Sequence, residues 1–335
     1  MASLEHRTTL IPAIVGPTAS GKSELGIAMA VEFGGEVINL DSIQVYRRLE
    51  LATAKVPLDQ RRGVPHHLVD FLEPTDQFTA GEYAELAART IIQIDSAGKM
   101  PIFVGGTGFY LKALVNPLFR SPKTDSALRR RLGRVLTAHG PGHLHRMLSR
   151  VDPRSAAAIS PGNWSRSIRA LEFYFQTGAR ISDARSDTPS PPEFATRLRV
   201  IALNPPRQEL YERINLRADS MVARGLIDEV KSLISSGVPS DAKAFRAHGY
   251  RRVVEYLDGR RSLDDAINQM KLDTRHYAKR QLTWWRAWAN VKWIDGFGSD
   301  SASIAEASAH IRAELAAQMS RCGARDSAAS QRPPR

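Results

Sequence analysis

Cysteine is nearly absent: Cys322, close to the C-terminus, is the only one among 335 residues. One thiol excludes a disulfide framework and a cysteine zinc finger alike, and it suits a reducing cytoplasm. Long apolar runs are also missing. Nothing approaches the ~20 apolar residues of a membrane span, and MASLEHRTTLIPAIVG has no long apolar stretch with a cleavage site, so neither an anchor nor a signal peptide is expected. No internal repeat is present. Acids are the scarce charge, with 35 Asp and Glu against 47 Lys and Arg for a net +12. The deficit is concentrated. Between Arg120 and Arg185 thirteen basic residues face four acids, and from Lys271 to Lys292 six face Asp273 alone, so the rest of the chain is slightly acidic. Two basic segments in an otherwise balanced chain favour a nucleic acid partner over a merely solvated face. With 42% hydrophobic residues, the chain buries a full core and can hold one large domain or two smaller ones.

What is present begins with GPTASGKS, in which Gly16, Pro17, Thr18, Ala19, Ser20, Gly21, Lys22 and Ser23 fit the spacing of a phosphate-binding P-loop. Apolar Leu10 to Val15 reads as the strand entering the loop, and Glu24 to Phe33 as the helix leaving it. Glycines let backbone amides turn toward phosphate oxygens. Lys22 adds a point charge, Ser23 can ligate magnesium, and the helix N-terminus adds partial positive charge. The loop alone does not choose between a nucleotide such as ATP and another diphosphate.

Strands are expected again at Glu36 to Leu40 and Pro101 to Val104, with a helix over Phe78 to Ala97 between them. That alternation is the pattern of a parallel α/β sheet with ligands at the carboxyl ends of its strands. From about Leu118 basic helical segments replace strands, until "LRVIAL" at Leu198 to Leu203 reads as a returning strand. The expected architecture is a P-loop NTPase-like α/β core, residues 1–117 and 198–295, interrupted by a helical insertion, 118–197. Residues 296–335 are rich in Ala and Ser and are expected to form a largely flexible tail with one helix from Ser303 to Met319.

Several constellations carry chemistry. "LDSIQVYRRLELATAK" places Asp41, Ser42, Ile43 and Gln44 just past a strand, where a carboxylate lies beside bound phosphates. "VGGTGFYLKAL" surrounds Thr107 with glycines at a second strand end, where its hydroxyl can meet a ligand or simply cap a helix. Arg213 and Arg217 lie one helical turn apart, which suits either a clamp on phosphate or merely a solvated face. In residues 271 to 288, Arg275 and Lys279 lie on a basic face, while Tyr277, Trp284 and Trp288 share an apolar stripe that reads as core. His66 and His67 lack the companions of a metal site and read as structural.

Seven blocks together, "GPTASGKS", "DSIQVYRRLELATAK", "PHHLVD", "VGGTGFYLKAL", "RSIRALEFYFQTG", "LYERINLRADSMVARGLIDEV" and "TRHYAKRQLTWWR", resemble the tRNA dimethylallyltransferase, or tRNA isopentenyl transferase, family of bacterial type. They run in the family's order over about residues 10 to 290. Departures are small: Ala52 replaces a usual glycine, Val56 a frequent proline, and Arg251 and Arg252 follow "GY" where lysine and glutamate are usual. The resemblance implies that the P-loop holds dimethylallyl diphosphate and that a five-carbon group passes to the exocyclic amine of the adenine 3′ of a tRNA anticodon, position thirty-seven. It further implies Asp41 as general base, Lys22, Arg217 and Mg2+ on Ser23 as stabilisers of the leaving diphosphate, and Thr107 at its bridging oxygen or the metal. Asp41, Ser42, Ile43, Gln44 and Thr107 would meet the target nucleotides. Arg129, Ser165, Arg166, Ser167, Ile168 and Arg169 in the insertion, with Arg275 and Lys279, would grip the tRNA. A cytoplasmic monomer is expected. A P-loop small-molecule kinase would leave both basic segments without a task, and a non-catalytic RNA-binding protein would leave the P-loop idle.

Overall fold

The structure, a computed structural model, describes residues 10–119 and 121–330, with 319 and 321–330 as backbone only. It divides into two compact units, Met1–Leu114 with Glu193–Arg335, and Val115–Pro192.

The first unit is built on six strands: β1 (Ile11–Val15), β2 (Gly35–Leu40), β3 (His66–His67), β4 (Met100–Gly105), β5 (Leu198–Asn204) and β6 (Val291–Asp295). Their order is β3-β2-β4-β1-β5-β6, and every pairing is parallel. Alternate residues feed different cores. Ile11, Ala13 and Val15 of β1 enter one apolar layer while Leu10 and Ile14 enter the other. A strand covered on both faces has no polar side to show, which is why β1 reads as an unbroken apolar run.

The helices, in chain order, are α1 (Lys22–Phe33), α2 (Ala80–Ser96) and α3 (Gly108–Val115), then α4 (Ser126–His139), α5 (Pro141–Val151), α6 (Pro153–Ala158), α7 (Trp164–Thr177) and α8 (Ile181–Ala184) of the second unit. They continue with α9 (Arg207–Ala223), α10 (Leu226–Ser235), α11 (His248–Leu257), α12 (Leu263–Arg286) and α13 (Ser301–Ser330). Their ends are written locally. Thr79 accepts from the Glu82 amide at 3.2 Å while Glu82 accepts from the Thr79 amide at 2.8 Å, a capping box that starts α2. Gly34 stops α1 in the left-handed region. The second unit packs Leu132, Leu144, Leu148, Ile168, Leu171 and Phe173 into its own core.

Two expectations are refined. The helix expected from Ser303 to Met319 is present and longer, as α13, so the stretch after Gly296 is not a largely flexible tail over its described length. Ala307 and Ile311 of α13 are fully buried in the layer that also holds Leu25 and Met29 of α1. Arg312 pairs with Glu32 at 2.6 Å and Arg199 with Glu314 at 2.5 Å. Small Ala and Ser residues read as low complexity, yet they let this helix lie close against its neighbour. The fully buried tryptophan of α12 is Trp285, on the inward face with Ala278 and Gln281, while Trp284 and Trp288 are half-buried and pack against the same core, as the apolar stripe implied. Among the described residues, no helix is long and apolar enough to cross a membrane.

Candidate active site

Residues 16 to 21 form a loop between β1 and α1 at the carboxyl end of the sheet, and Lys22 and Ser23 open α1. Gly21 needs to be glycine twice over, since its φ is +83° and a Cβ there would stand 2.8 Å from the Gly298 amide nitrogen. Ala19 also holds a positive φ, +65°. The Lys22 ammonium donates to the Pro17 carbonyl at 2.6 Å and so closes the loop on itself. Burial first, and the Arg217 charge second, pull its pKa down to about 8, against the opposing pull of Asp41 and Glu24. Arg217, on α9, donates to the Thr18 hydroxyl at 2.6 Å; burial lowers its pKa too, opposed by Asp41. The Ser20 hydroxyl is buried without a hydrogen-bond partner among the described residues, and Ser23, in the first turn of α1, lines the same cavity as Lys22 and Arg217.

Asp41 follows β2. Its Oδ1 accepts from the amides of Ile43 at 2.8 Å and Gln44 at 3.3 Å, which tightens the turn after the strand, while Oδ2 has no partner among the described residues. Asn39 accepts from the Asp41 amide at 3.0 Å and donates to the Leu68 carbonyl at 2.9 Å, so a buried amide sets the carboxylate's position. The Thr107 hydroxyl accepts from the Ser42 amide at 3.2 Å, joining the ends of β2 and β4. Gln44 turns its side-chain amide to the Thr53 carbonyl at 3.0 Å. Lys55, almost wholly buried, ties Tyr46, Glu50 and Asp70 together behind it.

Thr18 to Ser23 of the phosphate loop, with Asp41, Gln44, Arg213, Arg217 and Tyr277, line one cavity of about 990 Å³, whereas Ser42, Ile43 and Thr107 are not in its walls. Tyr277 has its hydroxyl facing Thr107 and Gln281, and burial raises its pKa, with the Asp41 charge adding to the effect. Gln281 escaped the sequence reading. Its Oε1 accepts from the Thr18 amide at 2.8 Å and its Nε2 donates to the Gly106 carbonyl at 3.1 Å, so α12 spans the two glycine loops. A Cβ on Gly106 would run into that amide, and one on Gly108 into the Trp284 indole. The signal was a glutamine at helical spacing between Ala278 and Trp285, a polar residue on an apolar face. The loop of residues 297 to 299 was missed as well, and nothing local in it announces a contact with the P-loop.

The second unit divides its candidates differently from the sequence reading. Glu172 is fully buried and accepts from Arg129 Nε at 3.1 Å, from Arg169 at 2.7 Å and from the Asp125 amide at 3.0 Å. Arg169 also reaches the Ser121 hydroxyl. Arg129 and Arg169 are therefore engaged by an internal carboxylate. Ser167 and Ile168 point into the core, because a helix cannot expose five successive residues; Ser165 and Arg166 are the exposed pair. On α12, Lys279 is exposed beside a hollow of about 630 Å³ shared with Arg207, Tyr211 and Arg286, while the Arg275 guanidinium lies 5.8 Å from the Tyr211 ring. His67 bonds Glu36 at 2.6 Å and His66 the Val64 carbonyl at 2.9 Å, both structural ties.

The chain matches the IPP transferase family over residues 44–288 and the isopentenyl transferase family over residues 9–61. It is 43% identical to a tRNA dimethylallyltransferase of Geobacillus kaustophilus over 308 residues, 91% of this chain and 97% of the relative. With that of Geobacillus thermodenitrificans it shares 46% over 289 residues, 86% and 91% of the two chains. The full-length tRNA isopentenylpyrophosphate transferase of Bacillus halodurans superposes with a TM-score of 0.69 at 39% identity, covering 93% of this chain and 98% of that one. A eukaryotic dimethylallyltransferase acting on tRNA gives 0.71 at 29% identity, with 86% and 73% covered. With a family model matched over residues 44–288 and relatives 43% and 46% identical over most of its length, the chain belongs to the IPP transferase family of tRNA dimethylallyltransferases.

Proposed function

We propose that this protein transfers a dimethylallyl group from dimethylallyl diphosphate to the exocyclic amine of the adenine 3′-adjacent to a tRNA anticodon, releasing pyrophosphate. The observation that carries the reading is the meeting of the phosphate loop, Lys22 and Arg217 with the Asp41 carboxylate in one cavity at the carboxyl ends of parallel strands. The adenine amine is a weak nucleophile while its lone pair is delocalised into the ring. Oδ2 of Asp41, left over from the turn that Oδ1 holds, is the atom free to take its proton. As nitrogen bonds to the allylic carbon, the carbon–oxygen bond breaks and both electrons leave with the diphosphate. Lys22, Arg217 and the first amides of α1, which have no carbonyl partner within the helix, face that growing charge.

Magnesium fits this chemistry, since it keeps water and substrate oxygens as ligands and needs no protein cage. Ser23 would hold it together with the donor's phosphate oxygens, and it would add positive charge at the leaving group. Thr107, bonded to the Ser42 amide and facing the Tyr277 hydroxyl, would act on the reacting region through these neighbours. The target base has to leave its stack to reach Asp41, and Ser42 and Gln44 would receive it. Exposed Ser165, Arg166 and Lys279 supply RNA contacts elsewhere. The test is direct: protein, labelled dimethylallyl diphosphate, magnesium and unmodified tRNA, without ATP. Label moves into RNA, because the bond energy resides in the allylic diphosphate; a requirement for ATP, or phosphorylation of a small molecule, would install a kinase instead.

A further inference from the structure

The segment between β6 and α13 does more than connect them. Its Gly298 amide donates to the Ser20 carbonyl of the phosphate loop at 2.8 Å, and a Cβ on Gly298 would run into the Gly21 carbonyl, so the two loops touch backbone to backbone. Asp300 fixes the segment's shape. Its carboxylate accepts from the Phe297 amide at 2.8 Å, its own amide returns to the Phe297 carbonyl at 3.0 Å, and its carbonyl accepts the Ile304 amide that opens α13. Phe297 is thereby held in a small apolar cluster with Leu210 and Ile214 of α9, Ala278 of α12 and Ala19 at the tip of the phosphate loop.

Above that ring stands Arg213, its guanidinium carbon 3.4 Å from the ring centroid. Arg213 makes no ion pair or side-chain hydrogen bond among the described residues, yet it lines the cavity that holds the phosphate loop and Arg217. A long cationic side chain with no acid to hold it would ordinarily sample many rotamers, and ordering it on binding would weaken the ligand. An aromatic face fixes its position without neutralising its charge. We propose that Phe297 is a positioning residue for the prenyl diphosphate: it aims the Arg213 guanidinium at the donor's phosphates, so that the segment Gly296–Asp300, of which Ser299 lines the cavity, supports the donor site from behind. The inference rests on the reading of this cavity as the diphosphate site.

The experiment compares the donor KM, kcat, tRNA affinity and melting temperature of Phe297→Leu, Phe297→Tyr, Arg213→Gln and the double variant Phe297→Leu with Arg213→Gln. Leucine keeps the cluster apolar and removes the π face. The expected result is a donor KM raised about three- to thirtyfold in Phe297→Leu with kcat and tRNA affinity little changed, near-normal behaviour in Phe297→Tyr, and a double variant no worse than Arg213→Gln. An unchanged KM in Phe297→Leu, or effects that multiply in the double variant, overturns the proposal. Arg213→Gln leaves the cluster intact, so it must raise the donor KM however the Phe297 variants fold; if it does not, the proposal falls. Lys22→Ala is run beside them. Weak donor binding there with a normal Phe297→Leu removes only the positioning role, whereas undiminished donor binding in Lys22→Ala removes the site itself.

Discussion

The two oxygens of Asp41 do separate work, and a single substitution can part them. Asparagine keeps an acceptor for the Ile43 and Gln44 amides and has no oxygen able to take a proton, so Asp41→Asn should preserve the turn and the tRNA affinity. Its single-turnover rate should fall by about 10²- to 10⁴-fold. A rate near that of the parent would remove Asp41 from the chemistry. Lys22 brings a pH dependence with a definite sign. With its pKa near 8 in the free protein, against 10.5 for an exposed lysine, the ammonium loses its proton as pH rises through about 8. Donor affinity should accordingly be steady below pH 8 and weaken above it, with proton uptake on binding in that alkaline range. The same shift means that the unfolded chain holds more protons between pH 8 and 10.5, so this residue makes the free protein relatively more stable as pH rises across that window. A donor KM that is flat from pH 7 to 10, or one that rises equally in Lys22→Arg, would contradict the assignment.

Helix α7 shows why a run of residues is not a surface. Arg166 is exposed at its first turn, and Arg169, three residues on, is tied to buried Glu172. Arg166→Ala should reduce the slope of tRNA affinity against salt, on logarithmic axes, by about one, with melting unchanged. Glu172→Gln should instead cost roughly 1–3 kcal/mol of stability, because it leaves two guanidinium groups facing a neutral amide; chemical denaturation measures it. Equal effects of the two changes on salt slope would mean that the ion-paired arginines also grip RNA. Strand β6 teaches a related lesson. "VKWID" is short and only Ile294 is fully buried in it, so its alternation is too weak to read, yet it closes one edge of the sheet beside β5. By contrast β1, β2 and β4, covered on both faces, stand out as apolar runs ending at glycine or Asp41.

At the scale of the whole molecule, the chain leaves its first unit after Leu114 and re-enters it at Glu193, and each unit has a core of its own. Calorimetry should therefore resolve two transitions. Dimethylallyl diphosphate with magnesium should raise the one belonging to the sheet unit, by the mass action of a ligand that binds only there, and Glu172→Gln should lower the other. One transition moving as a unit in both cases would show that the two cores unfold together. The amino-acid sequence by itself determined the phosphate loop, the strand ends that present Asp41 and Thr107, and the interruption of the sheet by a basic helical segment. Each of these is written in residues close together in the chain, as spacing, period or local charge. Only the tertiary structure decided that Gln281 bridges Thr18 and Gly106, that Arg217 reaches Thr18, that Glu172 engages Arg129 and Arg169, and that Phe297 lies under Arg213. Those partners stand up to 263 residues apart. A side chain's neighbours across such a gap are set by how helices seat on the sheet, and no local pattern records which of two solvent-compatible cations is turned inward to a carboxylate or an aromatic face.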